Sequence, residues 1–170
     1  YLWLVLCLLA APCAIVRSSV ALAQSASLSS YIAKVQPTDF FPDATKFGDQ
    51  QGDPPLAPVY AGEQLKGYVY LNSDFTNATG YSGKPIHLIV GIDSAGVIRG
   101  VKLVDHKEPI VLIGIPQQRI VDAMNKLIGV DMKPIATGAT KPPQVDIVSG
   151  ATVTTRAYLK AVENALAGAK

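Results

Sequence analysis

The segment DIVSGAT, residues 146–152, carries two hydroxyl side chains, Ser149 and Thr152, on either side of two small residues, Gly150 and Ala151. Either hydroxyl could cap the helix predicted to follow, because the first N–H groups of a helix lack partners and its dipole favours an anion. The small residues would let a phosphate approach the backbone closely. The segment therefore predicts either a plain helix cap or a phosphate site, where a threonine hydroxyl can also be esterified.

A second polar group, His106-Lys107-Glu108, comes directly after a predicted strand. At a strand end beside a pocket, His106 and Glu108 could donate to a ligand or pair with each other, whereas the alternative is a solvated strand end. The run lacks the ligand set of a metal site. No nucleophile, histidine and acid occur in an arrangement typical of hydrolases. The other histidine, His87, is predicted to be structural.

The elements that must position these residues have two different periodicities. Alternating apolar residues predict strands, and these are residues 67–73, 85–93 and 97–106, the last two forming a hairpin around Ser94-Ala95-Gly96. Helical spacing is found in two later segments, residues 116–129 and 152–168, with a short strand at 144–148 before the second. This order predicts an α+β fold in which an antiparallel sheet is packed against helices in one domain, residues 59–170.

The N-terminal part of the chain has a different composition. Residues 2–16 are apolar and uncharged, and an Ala-x-Ala pattern ends at Ala23. We therefore expect residues 1–23 to be a secretory signal peptide, with an uncleaved membrane anchor as the alternative. Both cysteines lie in this leader, so residues 24–170 contain no thiol for a disulfide or an iron–sulfur site.

Residues 24–58 are predicted to be a linker followed by a loop-rich segment. Five prolines and two glycines between residues 37 and 58 break regular structure. Phe40, Phe41 and Phe47 are predicted to anchor this loop against the core. The net charge of the whole chain is only +2, without a cluster of basic residues, and this excludes nucleic acid as an expected partner.

The pattern D-x-x-S-G-A-T at residues 146–152 resembles the flavinylation motif of the FMN-binding domain family. Residues 80–109 are similar to the same family, with a Gly-Tyr-x-Gly loop, a strand, a glycine turn and a strand ending near His-x-Glu. The resemblance implies FMN linked through its phosphate to Thr152 by a separate flavin transferase. It also implies that Ser149, Gly150 and Ala151 shape the phosphate site.

The resemblance implies further contacts to the flavin. Tyr81, Ser82 and Gly83 would lie on a loop that closes over the ring or the phosphate, although Tyr81 is equally well interpreted as a loop anchor. His106 and Glu108 would contact the ring, with His106 as a hydrogen-bond donor. Such a domain is an electron-transfer module rather than a self-contained enzyme, and it would lie on the periplasmic side of the cytoplasmic membrane.

Three segments, DFFPDATKFG at residues 39–48, NATGYSGKPI at 77–86 and HKEPIVLIGIP at 106–116, resemble one branch of this family. That branch regulates, and passes electrons to, nitrous oxide reductase in denitrification. That branch implies three groups of partners: a flavin transferase, nitrous oxide reductase or its maturation factors, and the membrane and iron–sulfur modules of a parent protein. The flavin subunits of Rnf and sodium-pumping quinone reductase complexes are the alternative, but they tend to have His-x-Glu-Thr-Pro-Gly where this chain has HKEPI, residues 106–110. A non-redox regulatory sensor is a third hypothesis.

Overall fold

The computed structural model describes residues 27–75, 79, 82–109 and 116–141. In these ranges five strands form one antiparallel sheet: β1 Lys46–Phe47, β2 Leu56–Ala61, β3 Gln64–Leu71, β4 His87–Asp93 and β5 Ile98–Asp105. Three helices accompany it: α1 Leu28–Tyr31, α2 Gln117–Asn125 and α3 Lys133–Ala136. Strand order in the sheet follows chain order, so every strand pairs with its neighbour in sequence. This confirms the predicted antiparallel sheet.

Side chains alternate across the sheet, and each face has its own core. Leu88 and Val90 of β4 belong to a cluster that also contains the buried side chains of α2, namely Ala123, Met124 and the following Leu127. Ile89 points the other way, into a cluster formed with the N-terminal segment from Leu28 to Ala44. Because side chains of a strand alternate with a period of two, one strand serves both cores.

The β4–β5 hairpin forms as predicted. The Asp93 carboxylate accepts hydrogen bonds from the N–H groups of Ala95 and Val97, both at 2.9 Å, and this fixes the turn. Gly96 has a φ of +90°, which explains the glycine in this turn. The register pairs His87 with Asp105, so the end of β5 lies beside the start of β4.

Regular structure occurs in the loop-rich segment and also after the first predicted helix. β2 begins at Leu56, within the proline-rich segment, and continues through Pro58. Pro58 has no N–H to donate, but its carbonyl oxygen accepts a hydrogen bond from the Gly48 N–H at 2.7 Å, just past the end of β1. α3 forms with Pro134 in its first turn, where a missing N–H costs no helical hydrogen bond. The strand predicted at 144–148 and the helix predicted at 152–168 lie outside the described residues.

Phe40 anchors the N-terminal segment on the sheet. Its side chain is 2% exposed, and a Cβ built at Gly91 would lie 2.7 Å from it. Gly91 and Gly100 are opposite each other on β4 and β5, so together they leave room for the Phe40 side chain. Phe41 is also buried and Phe47 packs against the same core, so the predicted anchoring of these aromatic residues is confirmed. Among the described helices, none has the length and apolar character needed to cross a bilayer.

His87 connects the N-terminal segment to the sheet. Its ring stacks on Tyr31, with centroids 4.9 Å apart, and its Nδ1 lies 2.7 Å from the Ser73 hydroxyl oxygen. The Tyr31 hydroxyl donates to Asp105 at 3.2 Å, and Lys34 Nζ lies 4.6 Å from the Tyr31 ring centroid. Burial lowers the pKa of His87, and Lys34 lowers it further, against the attraction of Asp105. These contacts agree with the predicted structural role.

We expect this histidine to make stability depend on pH. The pKa of His87 lies below its ordinary value of 6.5 in the folded state, so the unfolded chain binds the proton first as pH falls. The contribution of His87 to the free energy of unfolding is complete above about pH 6.5, and it decreases as pH falls towards the folded-state pKa. Urea unfolding at pH 7.5 and at lower pH values down to 5 would measure it.

The matched variants are His87→Gln and His106→Gln. Between these pH values, His87→Gln should lose less unfolding free energy than the wild type. His106→Gln should keep the pH dependence that comes from His87. An equal pH dependence in wild type and His87→Gln would contradict the expectation.

Candidate functional site

Ser82 and Glu108 meet where β5 ends, although they are 26 residues apart in sequence. One oxygen of the Glu108 carboxylate, Oε1, accepts hydrogen bonds from the Ser82 hydroxyl at 2.6 Å and from the Ser82 N–H at 3.1 Å. Glu108 is only 6% exposed. A buried carboxylate is costly unless it is hydrogen-bonded, so these two bonds stabilise both the loop and the acid.

The loop that carries Ser82 is closed at its base and open at its tip. Thr79 and Pro85 form an isolated antiparallel bridge, and the Ser82 hydroxyl also accepts a hydrogen bond from the Lys84 N–H at 3.2 Å. Gly83 has a φ of +69°, and a Cβ built there would meet no described atom within 4 Å. Among the described residues, the backbone at Gly83 therefore has free space beside it, as close approach of a ligand requires.

His106 belongs to the same site through the Glu108 backbone. The Glu108 N–H donates to His106 Nδ1 at 3.1 Å. His106 and Glu108 thus pair through a backbone donor and a ring nitrogen, rather than through the carboxylate. The alternative of a solvated strand end is wrong for Glu108, which is buried, whereas Lys107 between the two residues is exposed.

Asn72 supports the site and was not singled out in the sequence. Its side chain is fully buried, where the amide donates to the Ile86 carbonyl at 2.9 Å and its oxygen accepts from the Leu88 N–H. These bonds hold the chain that leaves the Ser82 loop and enters β4. The only local signal is an asparagine directly after a strand, which is common in turns.

The predicted phosphate site lies outside the part of the chain that the structure describes. Five predicted site residues lie outside the described residues, namely Tyr81, Ser149, Gly150, Ala151 and Thr152. The structure therefore brings together Ser82, His106 and Glu108, with Gly83 beside Ser82. Within the described ranges, no group of three or more side chains could hold a metal ion.

Comparison with known proteins identifies the class. The profile of the FMN-binding domain family matches residues 80–167, which is more than half of the chain. The chain therefore belongs to the FMN-binding domain family, as the residues in DIVSGAT and around the Ser82 loop predicted.

Three relatives refine this assignment. The chain is 38% identical over 137 residues to the regulatory protein NosR of Pseudomonas aeruginosa, and 35% identical over 137 residues to that of Stutzerimonas stutzeri. Each match covers 78% of this chain but only 19% of the NosR protein. The chain is also 33% identical over 92 residues, 54% of its length, to the protein NirI of Paracoccus denitrificans, of which the match covers 13%. The chain thus corresponds to a small part of these relatives.

The described part of the site contains polar groups of the kind that a flavin requires. A flavin ring has carbonyl oxygens and ring nitrogens along its edge, and it requires hydrogen-bond donors there together with apolar contacts. The loop supplies backbone groups at Ser82 and Gly83, and His106 supplies a ring that is connected to this loop through Glu108. The Glu108 carboxylate accepts the hydrogen bonds from Ser82 through its Oε1 atom.

Glu108→Ala should loosen this loop. The substitution leaves the N–H and the hydroxyl of Ser82 without their acceptor, which should lower the free energy of unfolding by about 1–3 kcal/mol. Hydrogen exchange at the amides of Ser82 and Lys84 should become faster. Urea unfolding and amide exchange measured on the same samples would test both effects.

Glu63→Ala is the matched control, since Glu63 is an exposed acid between β2 and β3. Its effect on stability should stay within about 0.5 kcal/mol, with unchanged exchange at Ser82. If the Glu108 variant kept the wild-type protection of Ser82, the carboxylate would not be the element that holds this loop.

Proposed function

We propose that this chain is an exported flavoprotein domain that carries FMN covalently, through the FMN phosphate, on Thr152. The observation that carries the proposal is the family match over residues 80–167, because this one segment contains both the Ser82 loop and the DIVSGAT motif. A covalent bond suits an exported protein, since a dissociated flavin would be lost outside the cytoplasm. In this proposal the motif directly precedes a last helix of the α+β domain.

Each site residue has a proposed role. Bound FMN supplies one- or two-electron transfer, while the protein supplies position and electrostatics. Ser149, Gly150 and Ala151 surround the phosphate, and Thr152 is the attachment point. The loop residues Tyr81, Ser82 and Gly83 contact the ring or the phosphate, His106 contacts the ring, and Glu108 secures the loop.

The similarity to NosR supports a place in denitrification. In this proposal the domain lies on the periplasmic side of the cytoplasmic membrane and passes electrons to nitrous oxide reductase or its maturation factors. Its other partners are a flavin transferase, which attaches FMN, and the membrane and iron–sulfur modules of a longer parent protein. The domain does not turn over a substrate alone.

A regulatory sensor without redox chemistry is the second candidate, and it is favoured by the name of the NosR relatives, which are called regulatory proteins. Both candidates bind FMN, but only the first requires the bound FMN to cycle between oxidation states.

The discriminating experiment uses the chain co-expressed with a flavin transferase, denatured and then desalted. We expect a flavin absorbance spectrum that stays with the polypeptide. On the refolded or native protein, dithionite should bleach the spectrum and air should restore it. A polypeptide without flavin would contradict covalent attachment, on which the electron-transfer candidate depends, and would leave the sensor as the candidate.

A further inference from the structure

The backbone of Glu108 determines which nitrogen of His106 carries a proton. A backbone N–H is always a donor, and the Glu108 N–H donates to His106 Nδ1 at 3.1 Å. The neutral imidazole must therefore accept at Nδ1 and carry its hydrogen on Nε2. The two nitrogens lie on different edges of the ring, so the Nε2–H points away from the Glu108 backbone. His106 as a whole is only partly buried.

We propose that His106 is a redox-tuning donor, held by Glu108 so that its Nε2–H hydrogen-bonds to the acceptor edge of the flavin. This inference rests on the proposed function. Reduction increases the electron density on the flavin carbonyl oxygens, and a fixed N–H donor to such an oxygen binds the more negative acceptor more strongly. His106 therefore favours the reduced flavin, and Glu108 is the positioning residue.

Glu108 fixes two parts of the site at once. Its backbone N–H sets the tautomer of His106, while its carboxylate holds the Ser82 hydroxyl and N–H. A shift of the buried Glu108 would therefore change the ring donor and the loop together. His87 differs from His106 in this respect. Its Nδ1 faces the Ser73 hydroxyl, which can either donate or accept, and its ring is stacked on Tyr31.

The first test needs no flavin. The chain has two histidines, so protein labelled with 15N-histidine and expressed without the flavin transferase gives signals from only two imidazoles. The spectrum lost in His106→Gln identifies His106. At a pH where this ring is neutral, we expect the Nε2–H tautomer. An Nδ1–H tautomer would overturn the positioning role of Glu108.

The second test measures the midpoint potential of the attached flavin. Loss of the donor in His106→Phe should lower the equilibrium constant for two-electron reduction about tenfold, which corresponds to about 30 mV. His106→Gln places an amide N–H near the position of Nε2 and should restore part of the potential. His87→Gln is the matched control and should leave the potential unchanged, because His87 lies in the contact with Tyr31.

The possible outcomes separate the two proposals. Flavin attached to every variant with the same potential would overturn the tuning role and leave the proposed function intact. A dark wild-type polypeptide would overturn the proposed function and the tuning role together, while the 15N spectrum would still decide the tautomer. A shift in His87→Gln as large as that in His106→Phe would also overturn a specific role for His106.

Discussion

Thr152→Ala is expected to reduce covalent flavin on this chain to background. The alanine has no hydroxyl that can form a phosphoester, so co-expression with a flavin transferase should leave the polypeptide dark in a denaturing gel. The wild type should fluoresce under the same conditions. Intact-mass measurement gives an independent readout, because only the wild type should carry the added mass of one FMN.

Thr154→Ala and Ser149→Ala are the matched controls, since both hydroxyls lie within three residues of Thr152. Thr154→Ala should label like the wild type. Ser149→Ala should label less efficiently, because Ser149 is proposed to shape the phosphate site, but a labelled fraction should remain. Equal fluorescence in Thr152→Ala and wild type would place the flavin on another residue, and equal darkness would remove the covalent-flavin proposal altogether.

Local periodicity was sufficient to predict the central part of the fold. The alternation in residues 85–93 and 97–106 predicted a hairpin, and the helical spacing in residues 116–129 predicted α2, which ends earlier, at Asn125, and buries Ala123 and Met124. These patterns are reliable because burial on one face selects side chains at the period of the element itself.

The proline-rich segment was predicted less accurately. Its prolines and glycines indicate where regular structure is interrupted, but they do not indicate with which strand the segment pairs. Pro58 lies inside β2, where its carbonyl oxygen accepts a hydrogen bond from the Gly48 N–H. Phe40 could be assigned to the core as an aromatic anchor, but the space it fills depends on Gly91 and Gly100 being opposite each other. That pairing is a property of the register.

The sequence indicated residues of the candidate site but not the hydrogen bonds that connect them. The sequence indicated Ser82, His106 and Glu108 as ligand contacts through the family pattern. It did not predict that Glu108 would be buried, because its partner Ser82 is 26 residues away and the flanking Lys107 is exposed. Nor did it indicate Asn72, whose buried amide joins two elements. Such roles depend on tertiary contacts.

Phe40→Ala is expected to lower the free energy of unfolding by about 3–5 kcal/mol, which is more than the expected effect of Glu108→Ala. Removing this buried ring empties the space over Gly91 and Gly100 and detaches the N-terminal segment from β4 and β5. A domain of this size has a total stability of about 5–15 kcal/mol, so the loss is a large part of it. Urea unfolding at pH 7.5 would measure the effect.

Leu65→Ala is the control, because Leu65 is 42% exposed on β3 and its truncation should change stability by less than about 1 kcal/mol. The ion pair between Lys102 and Asp39, at 2.9 Å, should not compensate for the lost ring, since exposed pairs contribute little. A Phe40→Ala protein with nearly wild-type stability would show that the N-terminal segment is not held by this side chain.

A double-mutant cycle with Gly91→Ala tests the specific contact. In the wild type the new methyl group would lie 2.7 Å from the Cβ and Cδ1 atoms and 2.9 Å from the Cγ atom of Phe40, so Gly91→Ala should be destabilising. In the Phe40→Ala background the two ring atoms are gone and only the Cβ contact remains, so the same substitution should cost less. Additive effects would contradict direct packing of Phe40 on the glycine pair. Coupled effects would establish that the N-terminal segment and the hairpin leading to His106 and Glu108 share one packing contact.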